Sequence, residues 1–385
     1  MYITSLKLNN WRNFRNVDTK LGERVFLAGP NASGKSNLLD AVRFLRDIAK
    51  PGGGLQKAVS DRGGISKIRC LAARSHPDVA IEIGLGDSAK VDPVWKYGIG
   101  IKQETRGYRN PFLSYEKVWH EGKLILERPM REDTEDSARL TQTHLEQINS
   151  NRQFRDVSRF LDSIKYLHLV PQLVRHADVY SGPGIPGDPF GRSFLELVMR
   201  TPTKTRKARL RKIESALILA VPQLKALADV TDEGGRPHLE AVYEHWRAKG
   251  AKQREDQFSD GTLRLIGLLW AILEGSSVLL LEEPELSLNG AIVKKLPSLI
   301  YRIQRQKKRQ AGQVIISTHS VDLLSDKGID GSEVLLLSPN PEGTEVRQAS
   351  SIAYIRTLLE EGYSIAEAVL PRTAPSNIRQ FDLFE

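Results

Sequence analysis

Hydrophobic and polar positions alternate at the start of the chain and then change to a helical spacing. Residues 2–8 and 23–28 have the alternating or apolar pattern of β-strands. Residues 36–49 instead place apolar side chains three or four positions apart, as along one face of an α-helix, and a proline and three glycines follow that segment. The pattern predicts a strand, a glycine-containing loop over residues 29–35 and then a helix.

The middle of the chain mixes both patterns. Short alternating stretches predict a small antiparallel sheet beside the first helix, at residues 79–85, 95–101 and 113–126. The other predicted elements are helices at residues 135–163 and 194–221, strands at 166–170 and 238–246, and a loop rich in glycine and proline at 181–192. No internal repeat or sustained heptad pattern is present.

The last third of the chain alternates short apolar strands with helices. The strands lie at residues 277–281, 313–317 and 333–337, and the helices lie at 262–274 and 291–305. Strands that are apolar throughout are typical of parallel sheets with helices on both faces. We therefore predict an α/β fold with a mixed, largely parallel sheet covered by helices, together with an antiparallel β lobe and a short helical insertion.

Composition places the chain among globular proteins. It has 385 residues, of which 40% are apolar and 27% are charged. The single cysteine, Cys70, cannot form an intrachain disulfide, and no apolar run approaches the roughly 20 residues that a membrane-spanning helix needs. The first residues lack the regions of a signal peptide. We expect a cytoplasmic protein that does not cross a membrane.

The chain has a net charge of +9, and two basic clusters stand out in it. They are Lys204–Lys212 and Arg302–Arg309, both in segments with helical spacing. Such clusters form either a solvated helix face or a surface for the phosphate backbone of DNA. Charge alone does not decide between the two.

The loop after the second strand carries a phosphate-binding motif. Residues Gly29 to Ser36 fit G-x-x-x-x-G-K-[ST], and they stand between a predicted strand and a predicted helix, as the motif requires. In such a loop, backbone N–H groups surround the phosphates, Lys35 reaches the β- and γ-phosphates and the Ser36 hydroxyl coordinates magnesium. The sequence therefore predicts a site for ATP and Mg²⁺.

A second motif supplies carboxylates. The buried strand that ends at Leu281 is followed by Glu282 and Glu283. We expect Glu282 to lie near the metal beside Ser36, and Glu283 to polarise the attacking water.

The order of motifs resembles a known protein class. The phosphate loop is followed by FSDGT at residues 258–262, by LLLLEEPELSLN at 278–289 and by ISTHS at 316–320. This order is similar to that of ABC-type ATPase heads, and within that class to the RecF/SMC/OLD-like branch of AAA-type ATPases in bacterial DNA repair and phage defence. The resemblance extends to about residue 340 and is specific at these four motifs.

The resemblance implies a role for each matched residue. It implies that residues 258–262 are the signature motif, whose Ser259 and Gly261 contact ATP held by the opposite subunit. It also implies that Glu282 and Glu283 form the Walker B pair, that Ser287–Asn289 form the D-loop, and that His319 is the switch histidine. The implied ATP-binding residues are Gly29, Asn31, Ser33, Gly34, Lys35, Ser36, Asn37, Ser259 and Gly261. The implied catalytic residues are Lys35, Glu283 and His319, and the implied metal ligands are Ser36, Glu282 and the Q-loop residue Gln172.

Four positions depart from the common pattern of the class. Glu282 and Asn289 each stand where aspartate is usual, Asp260 replaces the first signature glycine, and Thr262 replaces the signature glutamine. The carboxylate of Asp260 would lie near the opposing γ-phosphate. We expect ATP binding to be retained and turnover to be slow.

The distances between the motifs indicate which members of this class the chain resembles. The 223 residues between Lys35 and Ser259 disfavour a transporter subunit, and the missing heptads exclude the long coiled coil of SMC proteins. No Asp-x-Asp follows His319, so an OLD-like ATPase without the TOPRIM nuclease domain is expected. The predicted domains are a first ATPase lobe at residues 1–181, a helical insertion at 182–256 and a second lobe at 257–385.

Two functions remain open. One is an ATPase whose head-to-head homodimer, or higher oligomer, regulates a separately encoded, nuclease-type effector in phage defence. The other is a RecF-like DNA clamp in DNA repair. The tail at residues 375–385 ends in apolar side chains, which either pack on the protein's own second lobe or dock to a partner protein.

Overall fold

The computed structural model describes residues 1–73, 78–87, 92–104, 110–177, 188–246, 250–306 and 312–372. The strands are β1 (Tyr2–Trp11), β2 (Phe14–Lys20), β3 (Arg24–Ala28), β4 (Val79–Gly86), β5 (Trp95–Gln103), β6 (Pro111–His120), β7 (Lys123–Arg128), β8 (Lys165–Leu167), β9 (Leu224–Thr231), β10 (Pro237–Tyr243), β11 (Ala251–Arg254), β12 (Val278–Glu282), β13 (Gln313–Thr318), β14 (Val334–Asn340) and β15 (Gly343–Gln348).

The α-helices are α1 (Lys35–Ala49), α2 (Leu55–Ser60), α3 (Ile65–Ile68), α4 (Arg131–Glu135), α5 (Arg155–Asp162), α6 (Pro171–Arg175), α7 (Phe194–Arg200), α8 (Thr203–Ala220), α9 (Asp260–Glu274), α10 (Gly290–Val293), α11 (Leu296–Gln306), α12 (Val321–Leu324), α13 (Ala353–Glu360) and α14 (Ile365–Val369). Short 3₁₀ turns occupy Ser137–Thr141, Arg152–Phe154, Glu255–Gln257, Gly331–Glu333, Ala349–Ser351 and Leu370–Arg372.

The chain divides into two compact units, each built from separate stretches of sequence. The first unit comprises Met1–Ile164, Ser276–Leu280 and Gly312–Glu385, and the second comprises Lys165–Gly275 and Leu281–Ala311. The division into three consecutive domains stays a prediction.

An antiparallel sheet forms one part of the first unit. Its strand order is β2-β1-β4-β5-β6-β7, which contains the predicted antiparallel lobe. Residues 113–126, predicted as one alternating stretch, belong to the hairpin of β6 and β7. Glu121 and Gly122 turn the chain there with φ of 47° and 77°. Two consecutive positive φ values form a tight turn that matches the twist of the paired strands.

A second sheet of the first unit carries the parallel strands. Its order within this unit is β15-β14-β3-β13-β12, and β3 pairs in parallel with both β13 and β14. Every residue of β3 and β13 is buried, as their uninterrupted apolar sequences predict. Strand β15 runs antiparallel to β14. The predicted mixed, largely parallel sheet is confirmed.

Residues 135–163 were predicted as a helix, but only α5 and two 3₁₀ turns form there. The buried guanidinium of Arg128 donates to the carbonyls of Arg139 and Gln142, both at 2.9 Å. The buried carboxylate of Glu116 accepts from two further backbone N–H groups of this segment. These bonds occupy the backbone groups that a helix would pair internally, so tertiary contacts override the helical spacing.

The second unit is built around α9. The side chains of Leu263, Ile266 and Trp270 on this helix are buried, which confirms the predicted buried helix. Strands β9, β10 and β11 form a separate antiparallel sheet in the order β11-β10-β9. The insertion predicted to be helical is therefore mixed: it contains this sheet as well as α7 and α8. The helix predicted at residues 194–221 is interrupted at Pro202, because proline is favoured before a helix and not within one.

Two predictions concern regions that the structure describes only in part. The tail residues 373–385 and the last three residues of the cluster Arg302–Arg309 lie outside the described residues. In the part of the chain that is described, no helix is both long and apolar enough to span a membrane.

Candidate nucleotide site

The phosphate loop connects β3 to α1 in a conformation that depends on its glycines. Gly34 has a φ of 98°, which is accessible to glycine at little cost. A Cβ atom on Gly29 would lie 2.7 Å from the carbonyl oxygen of Leu337 on β14 and 2.7 Å from the Ser33 hydroxyl. Both motif glycines are thus required by backbone geometry, one by its φ and one by close packing.

The start of α1 is suited to an anion. No side chain caps this helix, and its first turn has no acidic residue. A helix N-terminus carries partial positive charge, and an uncapped one can present it to a phosphate. The Ser33 hydroxyl is buried and has no hydrogen-bond partner among the described residues. The loop therefore fits the phosphates of a nucleotide.

Lys35 lies over this loop. Its ammonium donates to the carbonyl oxygens of Gly29 at 2.9 Å and Pro30 at 3.0 Å, and the residue is only 6% exposed. Asn31 and Ser36 are exposed residues. A buried amine held by two carbonyls can exchange them for phosphate oxygens, which are stronger acceptors because they are charged.

Asn13, in the turn between β1 and β2, ties the loop to its surroundings. Its Nδ2 donates to the carbonyl of Ser33 at 2.9 Å and to the hydroxyl of Thr344 on β15 at 2.7 Å. Its Oδ1 accepts from Asn37 on α1 at 2.8 Å. The same side chain fills the space that a Cβ atom on Gly34 would need. The sequence alone does not indicate this role of Asn13, because a polar residue in a turn gives no sign of such long-range contacts.

His319 follows β13 at the same end of the sheet. The register pairs Thr318 with Ala28, so His319 and Gly29 leave neighbouring parallel strands side by side. His319 is exposed. The structure therefore places the predicted switch histidine next to the start of the phosphate loop.

The two glutamates of the Walker B motif lie in the second unit. Tyr166 on β8 donates its phenolic hydroxyl to the carboxylate of Glu282. Glu283 has a φ of 42°, a left-handed conformation that is uncommon for residues other than glycine and is often found at functional sites.

Metal binding at this site depends on more than protein carboxylates. Among the described residues, no group of three or more His, Cys, Asp or Glu side chains is arranged to hold a metal ion. Mg²⁺ commonly takes one or two protein ligands together with phosphates and water. Ser36 and Glu282 are of the type that such a site uses, and their role as ligands stays a prediction.

The signature residues form the start of α9. The Ser259 hydroxyl caps this helix by accepting from the Thr262 N–H at 3.2 Å. A Cβ atom on Gly261 would lie 2.5 Å from the carbonyl oxygen of Ser287, so only glycine fits there. The signature and the predicted D-loop residue Ser287 are therefore in direct backbone contact. Asn289 caps the next short helix, α10, by accepting from the Ala291 N–H at 2.9 Å.

Gln172 lies beside the signature. Its Nε2 donates to the carboxylate of Asp260 at 3.3 Å. Arg175, one turn further along α6, donates through Nη2 to the same carboxylate at 2.8 Å and to the carbonyl of Phe258 at 2.7 Å. The predicted metal contact of Gln172 stays a prediction. No sequence pattern indicates Arg175, although it pairs with the unusual acidic residue of the signature.

Comparison with known proteins places these motifs in a family. Residues 24–326 match the model of a family described as "AAA domain, putative AbiEii toxin, Type IV TA system". The DNA replication and repair protein RecF of Rhizobium meliloti (strain 1021) is 35% identical over 91 residues, which are 22% of this chain and 23% of that protein. RecF of Trichodesmium erythraeum (strain IMS101) is 30% identical over 134 residues, 33% of this chain and 32% of that protein. The match thus spans about a quarter to a third of these relatives.

Solved structures show a related fold over most of the chain. The SmcHead bound to the C-winged helix domain of ScpA superimposes with a TM-score of 0.54 at 15% identity, covering 90% of this chain and 98% of that one. This likeness concerns the fold alone. The family model covers most of the chain, so the protein belongs to the AAA family named above.

Proposed function

We propose that the protein binds ATP with Mg²⁺ and hydrolyses it to ADP and phosphate. The observation that carries this proposal is the phosphate loop: an uncapped helix N-terminus with the buried ammonium of Lys35 held over the loop carbonyls. When bound, Mg²⁺ supplies positive charge against the phosphate oxygens. The chain's own residues then orient the nucleotide and move the proton of the attacking water.

The proposed roles follow from the chemistry of each side chain. Lys35 leaves the two loop carbonyls and donates to the β- and γ-phosphates. Ser36 and Glu282 would hold the metal when it is bound, and Glu283 would accept the proton of the water. His319 contacts the γ-phosphate region from the strand end beside Gly29. Asn31, Ser33, Gly34 and Asn37 shape the loop around the phosphates.

We further propose that each complete site needs two molecules. Ser259 and Gly261 of one subunit contact the γ-phosphate that the other subunit's loop holds, as the resemblance implies. A two-fold interface of this kind repeats each contact, so a homodimer has two equivalent sites with ATP between the subunits. Since ATP then binds the dimer better than the separate subunits, it promotes dimerisation.

The output of this cycle is proposed to be regulation of a separately encoded effector of the nuclease type in phage defence. The support is the family description, which names a toxin–antitoxin system, that is, a pair of gene products. Purification of the tagged protein from its own host, with ATP present, tests this point. Recovery of a defined second protein supports an effector, and recovery of the ATPase alone with DNA favours the second function below.

A mixing experiment tests the shared site. Lys35→Ala destroys the loop, and Ser259→Arg places a bulky side chain where the γ-phosphate docks. Each variant alone is expected to be inactive. A heterodimer of the two has one site with an intact loop and an intact signature, so ATPase activity should return on mixing. Normal hydrolysis by Ser259→Arg alone would show that the signature does not act across a dimer.

A second candidate function, a RecF-like DNA clamp, is favoured by the surface of α8. Two basic residues of this helix serve the fold: Arg206 pairs with Asp229 at 2.9 Å, and Arg209 lies 5.1 Å from the ring centre of Trp270. Four others are exposed, namely Lys204, Lys207, Arg211 and Lys212. Spacings of three and four residues place Lys204, Lys207 and Arg211 on one face of the helix.

Salt dependence distinguishes the clamp. Phosphate contacts make the affinity for duplex DNA fall steeply with salt. In a plot of the logarithm of the association constant against the logarithm of the salt concentration, each contact contributes a slope of roughly −0.9. If the protein is a clamp, reversing the charges of Lys207 and Arg211 together removes two contacts. The slope should then become less negative by about 2. Binding that is absent at low salt, or unchanged in the double variant, excludes α8 as a DNA-binding face.

A further inference from the structure

The signature of this protein contains a charge that is unfavourable for its proposed ligand. Asp260 is the first residue of α9 and lies directly after Ser259, the residue proposed to contact the opposing γ-phosphate. A carboxylate at a helix N-terminus stabilises the helix through its dipole. The same carboxylate repels a phosphate brought to that terminus by a second subunit. The site therefore needs a nearby cation.

Arg175 supplies that cation and also bonds both neighbours of Ser259. One guanidinium nitrogen, Nη2, donates to Asp260 on one side of Ser259 and to the carbonyl of Phe258 on the other. The side chain of Arg175 is 18% exposed and that of Asp260 is 37% exposed. The pair is thus partly shielded from water, which strengthens its attraction relative to a surface pair.

Packing holds Arg175 in this position. Leu169, just before α6, is buried and occupies the space that a Cβ atom on Gly267 would need. Gly267 lies two turns along α9 from Asp260, so the segment containing α6 runs beside this helix. Val174, next to Arg175, is also buried. The guanidinium is therefore placed by a packed backbone and not by its ion pair alone.

We propose that Arg175 is a positioning residue for the signature. It neutralises Asp260 and holds Ser259 between two bonded neighbours, so that a second copy of this chain can present its bound ATP to Ser259. This inference rests on the proposed shared site. It explains how a signature with aspartate in place of the first glycine is compatible with ATP-dependent dimerisation.

The test uses the full chain in the Glu283→Gln background, where bound ATP is expected to persist. Light scattering measures dimerisation against protein concentration with saturating ATP, and a fluorescent ATP analogue measures nucleotide binding at low protein concentration. Arg175→Ala should weaken dimerisation, because the unpaired carboxylate of Asp260 then repels the incoming phosphate. Solvent screens part of this repulsion, so we expect a loss of about tenfold. Nucleotide binding by the loop of the same chain should stay within about twofold of its starting value.

The second substitution identifies the cause. Adding Asp260→Gly to Arg175→Ala removes the uncompensated carboxylate, so dimerisation should recover most of the loss. Arg200→Ala is the matched control, because Arg200 is exposed and pairs with Glu196 at 3.4 Å on α7 of the same unit. It should dimerise like the parent protein. If Arg175→Ala does not fold, Arg175→Gln removes the charge while keeping an amide near Phe258, and it should show the same loss and rescue.

Two outcomes overturn the inference. One is unchanged dimerisation in Arg175→Ala or Arg175→Gln. The other is a double variant as impaired as the single one, which would mean that Arg175 does not act through Asp260. A different result would show that the proposed shared site is wrong: Ser259→Arg would then dimerise with ATP like the parent protein.

Discussion

Asn13 connects three segments around the phosphate loop, and replacing it with alanine measures what those connections contribute. The substitution removes hydrogen bonds to Ser33, Thr344 and Asn37, with lengths of 2.9, 2.7 and 2.8 Å. A typical hydrogen bond contributes about 1 kcal/mol net. The side chain is half-buried, so water replaces part of each bond. Asn13→Ala should therefore lower the free energy of unfolding by about 2–3 kcal/mol.

The loop should lose order as well as stability. Without Asn13, the carbonyl of Ser33 has no side chain to hold it, and the space beside Gly34 opens. Restricting one freed backbone residue on binding costs about 1–2 kcal/mol. Since 1.4 kcal/mol is a factor of ten in affinity, the dissociation constant for ATP should rise about tenfold.

Two measurements on the same preparations separate these effects. Urea unfolding gives the loss of stability, and a fluorescent ATP analogue gives the dissociation constant. Asn151→Ala is the matched control. Asn151 is buried in the same unit, donates to the carbonyl of Leu145 at 3.0 Å and accepts from Arg155 at 3.2 Å. This control should also be destabilised, with its nucleotide affinity unchanged.

One result would contradict the role of Asn13 in ordering the phosphate loop. If Asn13→Ala loses stability as Asn151→Ala does and still binds the nucleotide with the parent affinity, then Asn13 does not order the loop. A rise in the dissociation constant in both variants would instead assign the effect to general destabilisation.

Three further predictions concern single side chains. Lys35→Ala should weaken ATP binding at least about a hundredfold in equilibrium dialysis, because it removes the charge-assisted bonds to the phosphates; parent-like affinity contradicts the loop assignment. Glu283→Gln should bind ATP without cleaving it, so phosphate release stops while ATP-linked dimers accumulate; unchanged turnover assigns the base elsewhere. Burial and the nearby charge of Arg128 lower the pKa of His144 to about 4, whereas an unfolded histidine takes up its proton near 6.5. Stability should therefore fall by up to about 3 kcal/mol as the pH drops from 6.5 to 4, and urea titrations of His144→Gln should lack this part of the decrease.

Local patterns in the sequence were sufficient for the elements that carry the motifs. The strand before Gly29, the helix after it and the buried strands of the last third were predicted from the sequence. Continuous burial requires a run of apolar residues, and an amphipathic helix requires apolar residues three or four positions apart, so both can be seen in neighbouring residues. The same holds for Gly34 of the loop, since its φ of 98° is a local requirement.

In some segments, contacts with distant parts of the chain overrode the structure that the local pattern predicts. Residues 135–163 have helical spacing, but Arg128 and Glu116 take their backbone hydrogen bonds. In the three-stranded sheet of the second unit, only the middle strand, β10, was predicted, as a strand at residues 238–246. Strands β9 and β11 lie on either side of β10 and are stabilised by pairing with it.

The supports of the candidate site were decided only by the tertiary structure. The sequence by itself determined that a phosphate loop, a signature and two glutamates are present, because each motif is contiguous. It did not determine that Asn13 joins the loop to Thr344, 331 residues away, or that Arg175 pairs with Asp260, 85 residues away. These contacts bring together side chains that give no local signal, since their partners are chosen by how strands and helices pack.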